Sequence, residues 1–119
     1  LYVTAEPNGD FERWRANQVK PAVEPLTAAQ RQGRDVFLGA TCAQCHTIRG
    51  TIAGGVQGPD LTHLATRGTL AAGTLPNTHD DLRRWVLDAQ RAKPGNQMPS
   101  HPVGEQDLPP LLAYLESLQ

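Results

Sequence analysis

Apolar residues recur at helical spacing in three stretches of the chain, and glycine and proline break up the rest. Thr27 and Gln30 stand three apart, the pattern of a reciprocal N-terminal cap, and Ala29, Gly33, Val36, Phe37 and Ala40 follow on one face. They predict a helix over about 28–40. Thr78 and Asp81 repeat the cap, and Leu82, Trp85, Val86 and Ala89 extend it to a helix over about 79–91, stopped by Pro94. The third stripe is Leu108, Leu111, Leu112, Leu115 and Leu118. Pro109 and Pro110 fit its first turn, where no backbone donor is required, so Asp107 is the predicted N-cap, with a tighter turn ahead of it.

Elsewhere the periodicity fails. Residues 47–77 carry six glycines and read as a long loop that must wrap something, with room for a short helix at about 60–66. "QVKPAVEPL" at 18–26 reads as a linker, which puts a domain boundary between 1–26 and 27–119. Before it, "DFERWRANQ" suggests a short amphipathic helix and "LYVTA" the tail of a strand. A strand's tail in a chain with almost no other sheet pattern points to a local cap, or to a piece of something larger. The prediction is an all-α fold of three to four short helices and long loops.

Composition sharpens this picture. At 119 residues, 39% apolar and 5% aromatic, the chain has a thin core for one domain, so an object it does not encode should complete it. A net charge of −1 suggests no nucleic-acid partner. No apolar run is long enough for membrane insertion or a signal peptide.

That object is indicated by "CAQCH", Cys42 to His46. Two thiols at C-x-x-C spacing can each form a thioether to a haem vinyl, and the adjacent His46 reaches the iron. Half a zinc site would need a second pair of ligands at regular spacing, and no second C-x-x-C is present. A redox dithiol would follow a strand in a βαβ unit, and none is predicted. The cofactor is therefore one covalent haem c. Met98, the chain's single methionine, lies in "KPGNQMPSHP", where Pro99 pushes it toward extended backbone, and it is the candidate sixth ligand. His63, His79 and His101 are its rivals, each by default a surface residue, with His101 the nearest substitute. His/Met ligation raises the potential relative to two nitrogens and closes the iron to substrates, which favours electron transfer over catalysis.

With these residues the chain resembles class I cytochrome c over about 27–118: "GRDVF" before "CAQCHTI", then "GPDL", "LRRWVLDAQRAKPGNQM" and "LLAYLESL". The resemblance implies that the first and last helices cross, with Gly33 and Phe37 near Leu111, Tyr114 and Leu115. It implies that the Pro59 carbonyl holds the His46 nitrogen that does not bind iron, a bond that fixes the ring. It places Trp85 beside the haem, and Arg67, six residues after Leu61, on a haem propionate, a role to which Arg's fork of donors is suited. Asn96 is a further propionate candidate, whereas Arg49 and Lys93 read as solvated. Phe37 lies five residues before Cys42, one more than the mitochondrial type has, so "LGAT" should bend differently.

The ends narrow the resemblance. "CHTIRGTIAGGVQGPDLTHLATRGTLAAGTLPNT" and the F-x-x-W segment ahead of it are similar to the cytochrome c domain fused to the C-terminus of subunit II in caa-type haem-copper oxidases. In that family residues 1–26 would be the tail of the copper domain and the linker. The expected function is one-electron transfer from a small redox protein to the copper centre of the same subunit and the oxidase core. The chain itself would do no bond-making chemistry, would be a monomer on its own, and would face the periplasm or cell exterior. A free-standing or differently fused carrier is the alternative, and a haem peroxidase or gas sensor a more distant one.

Overall fold

The computed structural model describes residues 3–100 and 103–119. Among the described residues six short helices run in the order α1 (Asn8–Gln18), α2 (Ala28–Gly39), α3 (Cys42–Cys45), α4 (His79–Leu87), α5 (Ala89–Ala92) and α6 (Leu108–Leu115). A 3-10 turn at Leu64–Thr66 and a two-stranded antiparallel hairpin, β1 (Thr69–Leu70) with β2 (Leu75–Pro76), lie between α3 and α4. The strand read in "LYVTA" is not formed at residues 3–5, and its first two residues lie outside the described residues.

Local chemistry sets the boundaries of α2 and α6 as predicted. Thr27 Oγ1 accepts from the Gln30 N–H while the Gln30 side chain accepts from the Thr27 N–H, a complete capping box. Asp107 is the N-cap of α6 with the prolines in its first turn, and an Asp107 N–H to Gly104 carbonyl bond of 3.0 Å makes the tighter turn ahead of it. The extra residue before Cys42 is taken up outside α2, where Ala40 is extended (φ −92°, ψ 178°).

The helix predicted over 79–91 is broken instead. Asp88 leaves the helical region (φ −151°, ψ 78°) and its carboxylate accepts from the Arg91 N–H at 3.1 Å, starting α5 afresh. A second bond, 2.7 Å from the Ser100 hydroxyl, fixes that carboxylate and holds it below the ordinary carboxylate range. Short acidic side chains compete with the helix for backbone donors, and here the competitor wins because Ser100 supports it.

The core is the crossing of α2 and α6. A Cβ on Gly33 would overlap the backbone carbonyl of Pro110 and stand 2.8 Å from the Tyr114 Cβ, so the two backbones approach as only glycine allows. Phe37 meets Tyr114 edge-on with ring centroids 6.2 Å apart, and Leu111, Leu112, Leu115 and Leu118 complete the buried set. Beyond α6, the Ala65 N–H donates to the Leu118 carbonyl at 2.8 Å and closes the C-terminus onto the 3-10 turn.

The segment between α1 and α2 has no regular structure but does not hang free. At the end of α1 the Gln18 carbonyl accepts from Arg49 Nη2 (2.6 Å), and within the segment the Lys20 carbonyl accepts from His63 Nε2 (3.2 Å) and the Ala22 N–H donates to the Arg49 carbonyl (2.8 Å). Arg49 is thus not the solvated residue expected, and His63 is buried rather than on the surface. Its Nδ1 is enclosed without a hydrogen-bond partner among the described residues. Lys93, also expected to be solvated, donates to the Ala71 carbonyl at 2.7 Å. There it braces a hairpin turn in which Ala71 and Ala72 take positive φ (52° and 56°), a conformation costing about 1–2 kcal/mol per residue.

Candidate functional site

The C-x-x-C-H stretch folds as one helical turn, Cys42–Cys45, with His46 leaving it extended (φ −110°, ψ 141°). Both cysteines are free thiols rather than partners in a disulfide. Burial pushes the Cys42 thiol up from its ordinary value, so it stays protonated at neutral pH. A dithiol oxidoreductase needs the opposite shift to expose a thiolate. Among the described residues no strand precedes this turn, so the βαβ setting of a redox dithiol is missing.

The loop after this turn grips it from below. Thr47 pairs with Gly54 in an isolated bridge, the Thr47 hydroxyl donates to the Gly55 carbonyl (2.8 Å), and the Gly58 N–H donates to the Cys45 carbonyl (2.7 Å). Gly58 then lies flat beneath the imidazole: a Cβ there would stand 2.6 Å from His46 Nδ1. His46 Nδ1 donates to the Pro59 carbonyl at 2.8 Å, as the resemblance implies. That bond fixes the tautomer and leaves Nε2, which makes no hydrogen bond among the described residues, as the lone pair on offer to a metal. Among the described residues no cluster of three His, Cys, Asp or Glu exists that would hold an ion without a cofactor.

Pro59 is itself held through its neighbour. Asp60 accepts from the Thr62 hydroxyl and N–H (2.5 and 2.8 Å), pairs with Arg49 Nε (3.2 Å), and gives its carbonyl to Arg67 Nη2. Partial burial pushes the Asp60 carboxyl up, but the two Thr62 bonds and then the Arg49 and Arg67 charges outweigh it and hold it below its ordinary 3.8.

The other candidates lie on the far segment. Met98 is half-buried, its N–H donating to Asn96 Oδ1 at 2.7 Å. Asn96 Nδ2 donates to the carbonyls of Ala89 (2.9 Å) and Lys93 (2.7 Å). Both amide hydrogens are thus engaged in holding the Met98 loop. Arg67 is exposed, and its side chain donates to the Asp60 carbonyl. Trp85 is half-buried on α4, packed against the core. Of the rival histidines, His63 is occupied by Lys20, His79 pairs with Glu116 at 2.7 Å, and His101 lies outside the described residues.

A cleft of about 320 Å³ opens beside Cys42, lined mainly by apolar side chains including Val36, Ala40, Val103 and Leu111. Free thiols at this spacing, an imidazole fixed with Nε2 available, a glycine flat against its face and an apolar cleft alongside together fit a covalently bound haem.

Comparison with known proteins agrees. A family profile described as cytochrome c matches residues 30–119. Subunit 2 of the cytochrome c oxidase of Alkalihalophilus pseudofirmus is 36% identical over 111 residues, covering 92% of this chain and 32% of that protein. The corresponding subunits of Bacillus sp. strain PS3 and Bacillus subtilis are 29% and 24% identical, over 95% and 92% of this chain and 33% and 32% of their own lengths. The chain thus spans about a third of the length of these relatives. Free thiols, the fixed imidazole, the crossing of α2 and α6 and the matching profile lead to one conclusion: the chain belongs to the cytochrome c family, whose members carry haem c and transfer electrons.

Proposed function

We propose that this chain is the electron-entry module of a cytochrome c oxidase. It takes one electron from a small redox protein and passes it to a copper centre in the same subunit, while the oxidase core reduces oxygen. The observation that carries the reading is the fixed His46 ring with Nε2 free, set in a chain matched over more than nine-tenths of its length by oxidase subunits.

The haem, once bound, supplies a one-electron iron couple. The residues around it hold the couple still. Cys42 and Cys45 would each add S–H across a vinyl group, the sulfur bonding one carbon and the hydrogen the next. His46 would be the fifth ligand, oriented by Pro59 and Gly58, and Met98 the sixth, which leaves no open coordination site for a substrate. Trp85 would pack beside the macrocycle, and Arg67 has guanidinium N–H groups beyond the one used on Asp60 to offer a propionate. Docking would use the uncharged stretch around the thioethers. Ala43 and Gln44 lie there, and the loop gripping them presents Ile52 and Val56, 86% and 88% exposed. Gly95 would rim the other side.

An uncharged face implies association that salt hardly changes. Haem c is attached outside the cytoplasmic membrane, so the chain would face the periplasm or exterior, tethered through the parent subunit. Among the described residues no helix is long and apolar enough to cross a membrane.

The test is anaerobic stopped-flow mixing of the full-length subunit with a reduced small cytochrome. The haem should reduce first and the copper after it, at rates nearly independent of salt. Copper reduction ahead of the haem, or unchanged in a haem-free Cys42→Ser/Cys45→Ser subunit, overturns the proposal.

A further inference from the structure

We propose that Gln90 is a positioning residue for Met98. The inference rests on the reading of Met98 as sixth ligand and adds the side chain that holds it. Gln90 sits on α5, the turn that exists because Asp88 breaks the longer helix. From there its Nε2 donates to two carbonyls at once, that of Asn96 (2.8 Å) and that of Met98 itself (2.8 Å). The N–H of Met98 is held by Asn96 Oδ1. Both backbone polar groups of Met98 therefore end on side chains rather than on a helix or sheet. Pro99, which follows, has no N–H to add. Asn96 in turn is bonded to Ala89 and Lys93, and Ser100 beyond the loop to Asp88. Each of these bonds leads back to the 88–93 segment.

The consequence concerns competition at the iron. A thioether is a neutral and weak donor, so the stiffness of its loop decides how readily another ligand displaces it. Gln90 contributes two of the bonds that must break for Met98 to swing away. Asn96 alone leaves the Met98 carbonyl without a partner.

The experiment uses the oxidised holoprotein and two readouts: imidazole affinity, and the pH at which the long-wavelength sulfur-to-iron charge-transfer band is lost. Gln90→Met, close in shape but without a donor, should bind imidazole about thirtyfold more tightly, the equilibrium equivalent of two ordinary hydrogen bonds. It should also lose the band at lower pH. Gln90→Glu keeps the shape, cannot donate when ionised, and serves if Gln90→Met does not accumulate. Arg91→Gln, an exposed change on the same turn, should match the parent protein. A purely structural role for Gln90 would lower the melting temperature and leave imidazole affinity unmoved. The band present in the parent protein and imidazole affinity unchanged in both Gln90 variants would overturn this inference alone. A parent protein without the band would overturn the Met98 reading and this inference with it.

Discussion

Two helices of this molecule are held in opposite ways. α6 is held by shape: its backbone lies against Gly33 of α2 so closely that a single Cβ does not fit, and six of its eight residues are buried. α1 buries none of its residues. Phe11 and Trp14 touch each other, ring centroids 5.9 Å apart, yet remain 45% and 55% exposed. What ties α1 to the body is its last residue, Gln18, bonded to Arg49, and the short strap after it, bonded to His63. Close packing buries apolar area and tolerates no added atom. A hydrogen-bonded strap fixes direction but contributes little free energy, because water can replace its partners. The two attachments should therefore fail at very different costs.

The largest effect comes from removing the haem. Cys42→Ser/Cys45→Ser prevents covalent attachment, and a haem-free chain loses the ligation and burial that contribute to its folding. Its far-ultraviolet circular dichroism should be largely that of an unfolded chain. A cooperative, native-like melt would show that the α2–α6 crossing stands alone and that the thin core is sufficient. Next comes Gly33→Ala in the holoprotein. The added methyl meets the backbone of Pro110, which cannot rotate away, so the loss should lie near the top of the range for overpacking, about 3 kcal/mol. Chemical denaturation measures it directly, and a loss under 1 kcal/mol would mean that the helices slide apart freely.

The same contrast separates what the sequence made legible from what it hid. Thr27 with Gln30, Asp107 ahead of two prolines, and Cys42-x-x-Cys45-His46 are local patterns, and the chemistry that makes each work acts within a few residues. Gly33 was legible too, through the resemblance, because a helix crossing leaves a small residue at a helical position. The break at Asp88 was hidden: Leu82, Trp85 and Ala89 keep a helical period straight through it, and the deciding partner, Ser100, is twelve residues away. The roles of Arg49 and His63 were hidden for the same reason, since their partners Gln18 and Lys20 lie 31 and 43 residues back. The bonds from Asn96 to the Ala89 and Lys93 carbonyls were hidden as well, because its type suits many partners and only the folded positions of those carbonyls select them.

The smallest effect tests the strap. Arg49 joins it to the loop that carries Pro59, donating to Gln18 on one side and pairing with Asp60 on the other. Arg49→Met keeps the apolar stem and removes the guanidinium. Because the pair is partly exposed, global stability should fall by only about 1 kcal/mol. Local stability should fall further: the Ala22 N–H, which donates to the Arg49 carbonyl, should exchange its hydrogen roughly tenfold faster as the strap opens. Acid sharpens the result. Asp60 has a depressed folded value, so the stability it contributes is present above 3.8 and is lost as pH falls through that depressed value. In the parent protein the protection of the strap amides, relative to their intrinsic exchange, should therefore fall at the acid end of the range. In Arg49→Met the Thr62 bonds still hold Asp60 down, so a weaker acid dependence should persist. Equal exchange in the two proteins at neutral pH would mean that the Lys20–His63 bond and the Ala22–Arg49 backbone bond seat the strap without the guanidinium, and the contrast with α6 would then rest on those two hydrogen bonds.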